Sequence, residues 1–399
     1  MRICLASLHP RILSGQIDSL AGLGRALVRH GHDVTLVAPC ETDGLLDGSL
    51  ISLDSGPKGL MSAAMRMLRA VPRIVAEAKN ADIVHLALPT PAFSFVADVV
   101  QAAVRVPVLV GYEGHLVPAR RVLRWQRLRK SWKTYLPLWG VNNGLFGRMS
   151  AYRCPGYVVS SNYQRDELVA LGVPSGRVTI LSNMIESSKM EMCDPIEART
   201  RLGLPQGKTV VGYIGHLNDV KGVDVLAEAF IDVVHRHPQA HLALAWSGQG
   251  NDAPIREALA PVADHVTWLG KVHVGRFLCA VDMLALPYRL TAGQGTFPSL
   301  VLEAMHAGCP LITSKLPLLE EVVEDGVNGL LCPTERADIL ADQLSSLISS
   351  PDLRVRIAKA ELETIKTRFV PDRLVTAYEA LYASLVHVQE WRRAAAAAA

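Results

Sequence analysis

Residues 1–38, MRICLASLHP RILSGQIDSL AGLGRALVRH GHDVTLVA, carry the pattern on which the fold turns. The apolar run Ile3 to Leu8 reads as a strand. A turn at Ser14–Gly15 follows, and from about Ile17 to His30 the apolar residues Leu20, Leu23, Ala26 and Leu27 recur at helical spacing. Gly31 stands where a helix C-terminus is commonly capped by a glycine, and Asp33 to Ala38 is apolar again. Strand, helix and strand in this order make a βαβ unit, the building block of a parallel sheet.

Outward from that unit, short apolar runs return at Ile83–Leu88, Val108–Val110, Tyr157–Val159 and Val178–Leu181, with helical stretches between several of them. A second series opens at Val210–Gly215. It continues through a helix at Asp224–His237 and runs at His241–Ala245, Val266–Leu269, Met283–Leu286, Leu311–Thr313 and Gly329–Cys332. Alternation of this kind argues for parallel sheets covered on both faces. Between the series lies the polar stretch Glu186–Gly207, read as the interdomain connection and as partly helical. After Thr334 the pattern is helical: Ala337–Ser349, Asp352–Phe369 and Pro371–Trp391, the last long enough to cross back onto the first domain. The expectation is α/β: two Rossmann-like doubly wound domains with parallel sheets facing across a deep cleft. Ligands of open α/β sheets bind beyond the carboxyl ends of the strands, so the strand-to-helix loops of both halves are expected to line that cleft.

At 399 residues the chain exceeds one ordinary core, and 49% hydrophobic with 20% charged residues marks it as globular. A net charge of +3 is too mild for a nucleic-acid binder. Seven cysteines (Cys4, Cys40, Cys154, Cys193, Cys279, Cys309, Cys332) include no CxxC pair, which predicts reduced thiols and a cytoplasmic location. The opening MRICLASL reads as a first strand rather than an export signal. The longest apolar stretch, around Val96–Val110, is broken by Arg105 and Pro107, so no segment is expected to span a bilayer. The terminal run Ala394–Ala399 is left out of the reading.

The chemistry concentrates at Pro287–Pro310, PYRLTAGQGTFPSLVLEAMHAGCP, where a strand end passes through a Gly-rich loop into a helix. Free N–H groups and the positive end of the helix dipole at such a turn favour a phosphate. Glu303 follows further along the helix, where a carboxylate can accept hydrogen bonds from ribose or sugar hydroxyls. The plain alternative is an ordinary Gly- and Pro-rich turn. Lys221, at the turn after Gly215–His216–Leu217, is the candidate for neutralising a diphosphate leaving group, against a solvated loop lysine as the alternative. His216 can donate to a phosphate oxygen or serve structure alone. Gly248–Gln249–Gly250 suits close backbone approach to a ligand. Gly270–Lys271–Val272 follows a further strand, on the same edge, where main-chain groups can hold a nucleobase. In the first half, Ser14–Gly15–Gln16 precedes a helix, Glu113–Gly114–His115 follows a strand with a carboxylate and an imidazole, and His85 inside an apolar run reads as structural. No Ser-His-Asp order, HExxH or paired Cys/His spacing appears, and GxGxxG is absent after the first strand. Triad hydrolases, zinc enzymes and ordinary NAD-dependent dehydrogenases therefore lack support. Residues 120–133, RRVLRWQRLRKSWK, form a dense basic series with interleaved Leu and Trp. Three readings stay open for it: an interfacial helix making peripheral contact with anionic lipid, a solvated basic face, or a patch for an anionic acceptor.

Taken together, SGQIDSLAGLGRALVRHGHDVTLVAP, VTILSNMIE, GYIGHLNDVKGVDVLAEAF, FPSLVLEAMHAGCPLITS and LLEEVVEDGVNGLLCP, in this order over nearly the whole chain, resemble the family 4 retaining glycosyltransferases of GT-B architecture. The resemblance implies an acceptor-binding domain over 1–186, a nucleotide-sugar-binding domain over 187–369 and a C-terminal helix, 370–393, returning to the first domain. It implies a nucleoside-diphosphate sugar as donor, a hydroxyl acceptor (glycan, lipid-linked or small-molecule), retention at the anomeric carbon, and neither metal nor cofactor. Residue by residue, Glu303 matches the second glutamate of the family's signature pair, which holds the ribose, while the first falls on Gly295. His216 stands where the family has a phosphate-binding arginine, and Lys221 matches its basic partner. Gly15 would face the diphosphate, and the loop from Thr296 through Ser299 and Leu300 to Val301 would supply backbone donors. The family's catalytic-loop histidine falls near Glu113 with His115 close by, and the choice between them is open. The rivals are a sugar-nucleotide epimerase or phosphorylase of the same architecture, and a non-catalytic sugar-nucleotide binder.

Overall fold

The structure, a computed structural model, describes residues 1–8, 15–38, 50–52, 70–88, 94–112, 155–170, 172–182, 190, 193–289 and 297–398. The chain divides into two compact units: Met1–Ile185 with Ala292–Phe297 and Phe369–Ala399, and Glu186–Thr291 with Pro298–Arg368.

In the first unit, β1 (Arg2–Ser7), α1 (Gly15–Arg29) and β2 (Asp33–Ala38) form the βαβ unit expected from residues 1–38, and Gly31 takes a left-handed φ of 83° just past the helix. The strands β3 (Leu50–Ser52), β4 (Ile83–Leu88), β5 (Val108–Tyr112), β6 (Gly156–Val159) and β7 (Val178–Ile180) complete a parallel sheet in the order β3-β2-β1-β4-β5-β6-β7. The helices α2 (Ser94–Ala103) and α3 (Asn162–Ala170) lie in the connections, and residues 70–78 are also helical. Successive side chains of a strand point to opposite faces. Accordingly Ile3 and Leu5 pack with Leu20, Leu23 and Leu27 of α1, while Cys4 and Ala6 pack with Ile74, Val96 and Val100 on the other side.

In the second unit, β8 (Thr209–Leu217), β9 (Ala240–Gly250), β10 (Val266–Leu269), β11 (Met283–Leu286), β12 (Leu311–Ser314) and β13 (Leu330–Cys332) form a parallel sheet ordered β10-β9-β8-β11-β12-β13. Its helices are α4 (Pro195–Leu202), α5 (Val223–Arg236), α6 (Ala253–Leu259), α7 (Val274–Ala280), α8 (Ser299–Ala307), α9 (Ala337–Ser349) and α10 (Pro351–Arg368). The stretch read as a partly helical connection contains α4, begun by the Asp194 carboxylate accepting from the Ile196 and Glu197 N–H groups and ended by Gly203 in a left-handed conformation. Val210, Leu242, Leu244, Leu284, Leu286 and Ile312 are buried along the strands, with Phe230 and Phe277 from the helices. Each such side chain contributes about 1.5–3 kcal/mol of burial.

The last helix, α11 (Pro371–Ala398), belongs to the first unit, as its expected return to the N-terminal half requires. Val375 and Tyr382 enter the core beside Leu5 and Leu36, and the Glu379 carboxylate meets His30 at 3.1 Å and His32 at 2.8 Å. Tyr382 Oη hydrogen-bonds His85 Nδ1 at 2.8 Å, and burial lowers the His85 pKa to about 4. His85 is thus a neutral core residue that anchors α11, in keeping with its structural reading.

Strand ends run past the sequence reading at two places next to the candidate residues. β5 runs on to Tyr112, and β9 runs on to Gly250, so the Gly248–Gly250 stretch ends a strand instead of following it. The cause at Gly250 is close approach: φ is +98° and an added Cβ would lie 1.8 Å from the Leu217 carbonyl oxygen. Only glycine lets β9 pass the end of β8 there.

Candidate functional site

The order of the second sheet places its topological switch between β8 and β11, since the chain proceeds from β8 outward through β9 and β10, then returns to β11 and proceeds the other way. Ligands of such sheets bind outside the carboxyl ends of the strands at that point. Two segments flank it: the turn from β8 into α5, carrying His216 and Lys221, and the segment from β11 into α8, carrying Tyr288, Arg289 and Ser299–Val301.

Lys221 closes a 3₁₀ turn, Asp219–Lys221, and Gly222 then opens α5 in a left-handed conformation with φ of 65°. A Cβ on Gly222 would lie 2.0 Å from the Pro287 carbonyl oxygen, so glycine alone allows the β8 turn to lie against the end of β11. That approach sets the Lys221 ammonium 4.6 Å from the centre of the Tyr288 ring, within cation–π reach. Lys221 is half-buried, not solvated. Burial lowers its pKa to about 8, and among the described residues no carboxylate lies within ion-pair distance of it. His216 is half-buried in β8, and its carbonyl accepts a 2.8 Å hydrogen bond from Tyr213 Oη.

On the other flank, Pro298 precedes α8 and supplies no side-chain cap. Val301 N–H bonds back to the Pro298 carbonyl at 2.9 Å, whereas the N–H groups of Ser299 and Leu300 donate to no other described residue. These are the unsatisfied donors of a helix start, with the positive end of the dipole behind them. Ser299 and Leu300 are half-buried, Val301 is buried, and Glu303 is half-buried one turn further along α8. An ammonium in a low-polarity setting and an uncapped helix start, both at the carboxyl edge of this sheet, are each equipped to attract an anion.

The remaining candidates are more dispersed. Val272 lies half-buried between β10 and α7, at the same sheet edge but two strands from β8. Gly15 is the first residue of α1, at the carboxyl edge of the first unit's sheet. Glu113, His115, Gly295, Thr296 and the basic segment 120–133 lie outside the described residues. Among the described residues no group of His, Cys, Asp and Glu side chains is arranged to hold a metal ion.

Sequence reasoning passed over Arg289, buried at the end of β11. Its guanidinium forms a bidentate pair with Asp224, at 2.7 and 2.6 Å, a second with Glu335, and a 2.9 Å bond to the Asp219 carbonyl. Glu335 adopts φ of 62°, the one positive φ of a non-glycine among the described residues. The signal present in sequence was the arginine itself within PYRLTAGQ. Its partners stand 46 and 65 residues away and no local spacing points to them.

Comparison with known proteins identifies the family and the fold. Residues 14–189 match the family described as Glycosyltransferase Family 4, and residues 208–350 match the family described as Glycosyl transferases group 1. Spore coat protein SA of Bacillus subtilis is 29% identical over 46% of this chain and 52% of its own length. D-inositol 3-phosphate glycosyltransferase of Corynebacterium urealyticum is 29% identical over 41% of this chain and 40% of its own. The chain thus spans about half the length of the curated relatives it matches. Among solved structures, Anabaena HepE in complex with UDP and glucose superposes with a TM-score of 0.73 at 18% identity, over 96% of this chain and 100% of that one.

Proposed function

This chain belongs to glycosyltransferase family 4, and from that premise we propose that it transfers a sugar from a nucleoside-diphosphate sugar to a hydroxyl acceptor, with retention at the anomeric carbon and without a metal ion. The observation that carries the reading is Lys221: a half-buried ammonium with no carboxylate in reach among the described residues, at the switch point of the second sheet. It counters the negative charge that a departing diphosphate develops, and the Ser299 and Leu300 N–H groups at the same sheet edge supply donors. Glu303 takes the ribose, and Val272 offers main-chain groups to the base. The first unit places the acceptor, with Gly15 at the helix start facing the diphosphate and either Glu113 or His115 at the reacting hydroxyl. The bond from the anomeric carbon to the diphosphate breaks, the acceptor oxygen bonds on the same face, and the hydroxyl proton leaves with the diphosphate.

UDP as the first nucleotide to try is supported by the ligands of the Anabaena neighbour, and an inositol or lipid-linked hydroxyl as acceptor by the names of relatives. Among the described residues no helix is long and apolar enough to cross a membrane. We place the reaction in the cytoplasm, with peripheral membrane contact through residues 120–133. The test is an assay of UDP-, GDP-, ADP- and dTDP-sugars with an acceptor panel, in EDTA and with anionic vesicles, following nucleoside diphosphate release and product anomer. Acceptor-dependent release with a retained anomer supports the proposal. Release without acceptor-derived product, or binding without turnover for every donor, contradicts it.

A further inference from the structure

Lys221 has no acid among the described residues to fix it, yet its ammonium is held in a defined place over Tyr288. Three loops at the carboxyl edge meet at the neighbouring residue. Arg289 N–H donates to the Val220 carbonyl at 2.9 Å and Nη1 donates to the Asp219 carbonyl, so both ends of the residue grip the turn that presents Lys221. Its guanidinium also takes Asp224 from the first turn of α5 and Glu335 from the loop between β13 and α9. All five N–H donors of the guanidinium are thereby used. Glu335 reaches it from a left-handed backbone, a conformation that persists only where surrounding contacts over-determine it.

The geometry points to Arg289 as the positioning residue of the anion site: it binds Asp224 and Glu335 so that neither carboxylate turns to Lys221, and it pins the Asp219–Val220 turn so that the ammonium stays open to a ligand. The inference rests on the reading of Lys221 as the phosphate-binding cation. Asp224 stands three residues after Lys221, and Nη1 of Arg289 binds both its carboxylate and the Asp219 carbonyl, so the acid and the turn that carries Lys221 meet at one guanidinium. Released from Arg289, it has a partner of opposite charge at hand, and a lysine paired in that way is lost to the diphosphate. Among the described residues, the charged and titratable groups on the elements that carry Lys221 or meet at Arg289 are Asp219 and Asp224, Tyr213 and His216 from β8, Tyr288 and Arg289 after β11, and Glu335 after β13. Loss of the Arg289 charge and release of two carboxylates act in the same direction, both favouring the ammonium form of Lys221.

The test reads Lys221 directly, by ¹³Cε-lysine NMR titration of the full chain, with resonance assignment by Lys221→Met. In the wild type the resonance titrates near 8, as its burial requires. In Arg289→Leu the midpoint rises by roughly one pH unit, and calorimetric affinity for inorganic pyrophosphate falls about tenfold or more. Adding Asp224→Asn and Glu335→Gln to Arg289→Leu lowers the midpoint again, because the released acids are gone. Should Arg289→Leu not fold, Arg289→Lys keeps a charge but loses the fork geometry and gives a smaller rise. A Lys221 midpoint unchanged in every folded Arg289 variant overturns the inference and leaves Arg289 a staple of the fold. Because the titration needs no donor, absence of sugar transfer by the wild type is a separate result that counts against the transferase reading alone.

Discussion

The two ends of the second unit's sheet use buried charge in different ways. At the amino end, Arg199 donates to the Ala280, Gln206 and Lys208 carbonyls and to the Asp282 carboxylate. Asp282 accepts from the Val210 N–H at 2.6 Å, and Glu361 accepts from the Leu311 N–H at 2.9 Å. Each charged or acidic group there is tied to the start of a strand or to the chain just before one. At the carboxyl end Arg289 is equally tied, but Lys221 beside it is held by a ring face and has no carboxylate in reach among the described residues. A buried ion costs free energy unless something compensates it. At the amino end Arg199 and Asp282 compensate each other and Glu361 is kept neutral by burial, whereas at the carboxyl end Lys221 has no carboxylate partner among the described residues and is open to compensation by a ligand.

The comparison breaks most directly at Lys221. Replacing it by Met is expected to cut donor turnover by about 10²–10³, the usual size of losing one charge-stabilising group, while raising stability. The sign follows from its pKa, lowered from 10.5 to about 8 in the folded state. The unfolded chain binds the extra proton between those values, so wild-type stability rises with pH across that window and the advantage of Lys221→Met, roughly 3 kcal/mol at pH 7, fades by pH 10.5. Denaturant unfolding at pH 7 and 10 alongside steady-state kinetics checks both halves. Arg199→Leu is the opposite case. It should cost about 1–3 kcal/mol of stability, because the part-buried Asp282 carboxylate and its neighbouring carbonyls lose their donor, with nucleoside-diphosphate affinity unchanged in the folded fraction; a large loss of affinity would erase the distinction between the edges.

Gly222→Ala tests the close approach at Pro287. A left-handed alanine costs about 1–2 kcal/mol before the clash with the carbonyl is counted, so both stability and donor affinity should fall, measurable by thermal unfolding and calorimetry. Glu361→Gln tests the amino edge, with an effect confined to stability. Burial raises the Glu361 pKa well above its ordinary value, so the wild type loses stability as pH climbs past the ordinary carboxylate range, by up to about 1.4 kcal/mol per pH unit. The variant should gain on the wild type between pH 4.5 and 7. A stability difference that stays flat with pH would remove the assignment of a neutral acid at the amino edge.

Much of the fold was legible because it is written locally. The helical spacing of Leu20, Leu23 and Leu27, the cap at Gly31, and the apolar runs of both sheets are short-range signals, and they yield the parallel order once right-handed crossovers are assumed. The site was legible only where one residue carries its chemistry alone, as with Lys221 and the start of α8. Sequence left open whether Lys221 is solvated, because burial depends on Gly222 approaching Pro287 across 65 residues of chain. Arg289, Asp224 and Glu335 were opaque for the same reason: each is an ordinary charged residue until the parallel sheet brings three loop ends to one edge. His85 shows the converse, a lone apolar-run histidine whose structural role was readable but whose partner, Tyr382, lies 297 positions away.

The central claim is that the carboxyl edge of the second sheet holds a diphosphate through Lys221. It is tested most directly by calorimetric affinity for UDP, GDP, ADP and dTDP between pH 7.5 and 9.5, wild type against Lys221→Met. The account predicts that at least one of the four binds the wild type with an affinity that weakens by up to tenfold per pH unit as Lys221 loses its proton, and binds the variant weakly with no such slope. Equal affinity and slope in the two proteins, or no binding of any of the four to the wild type, would contradict it.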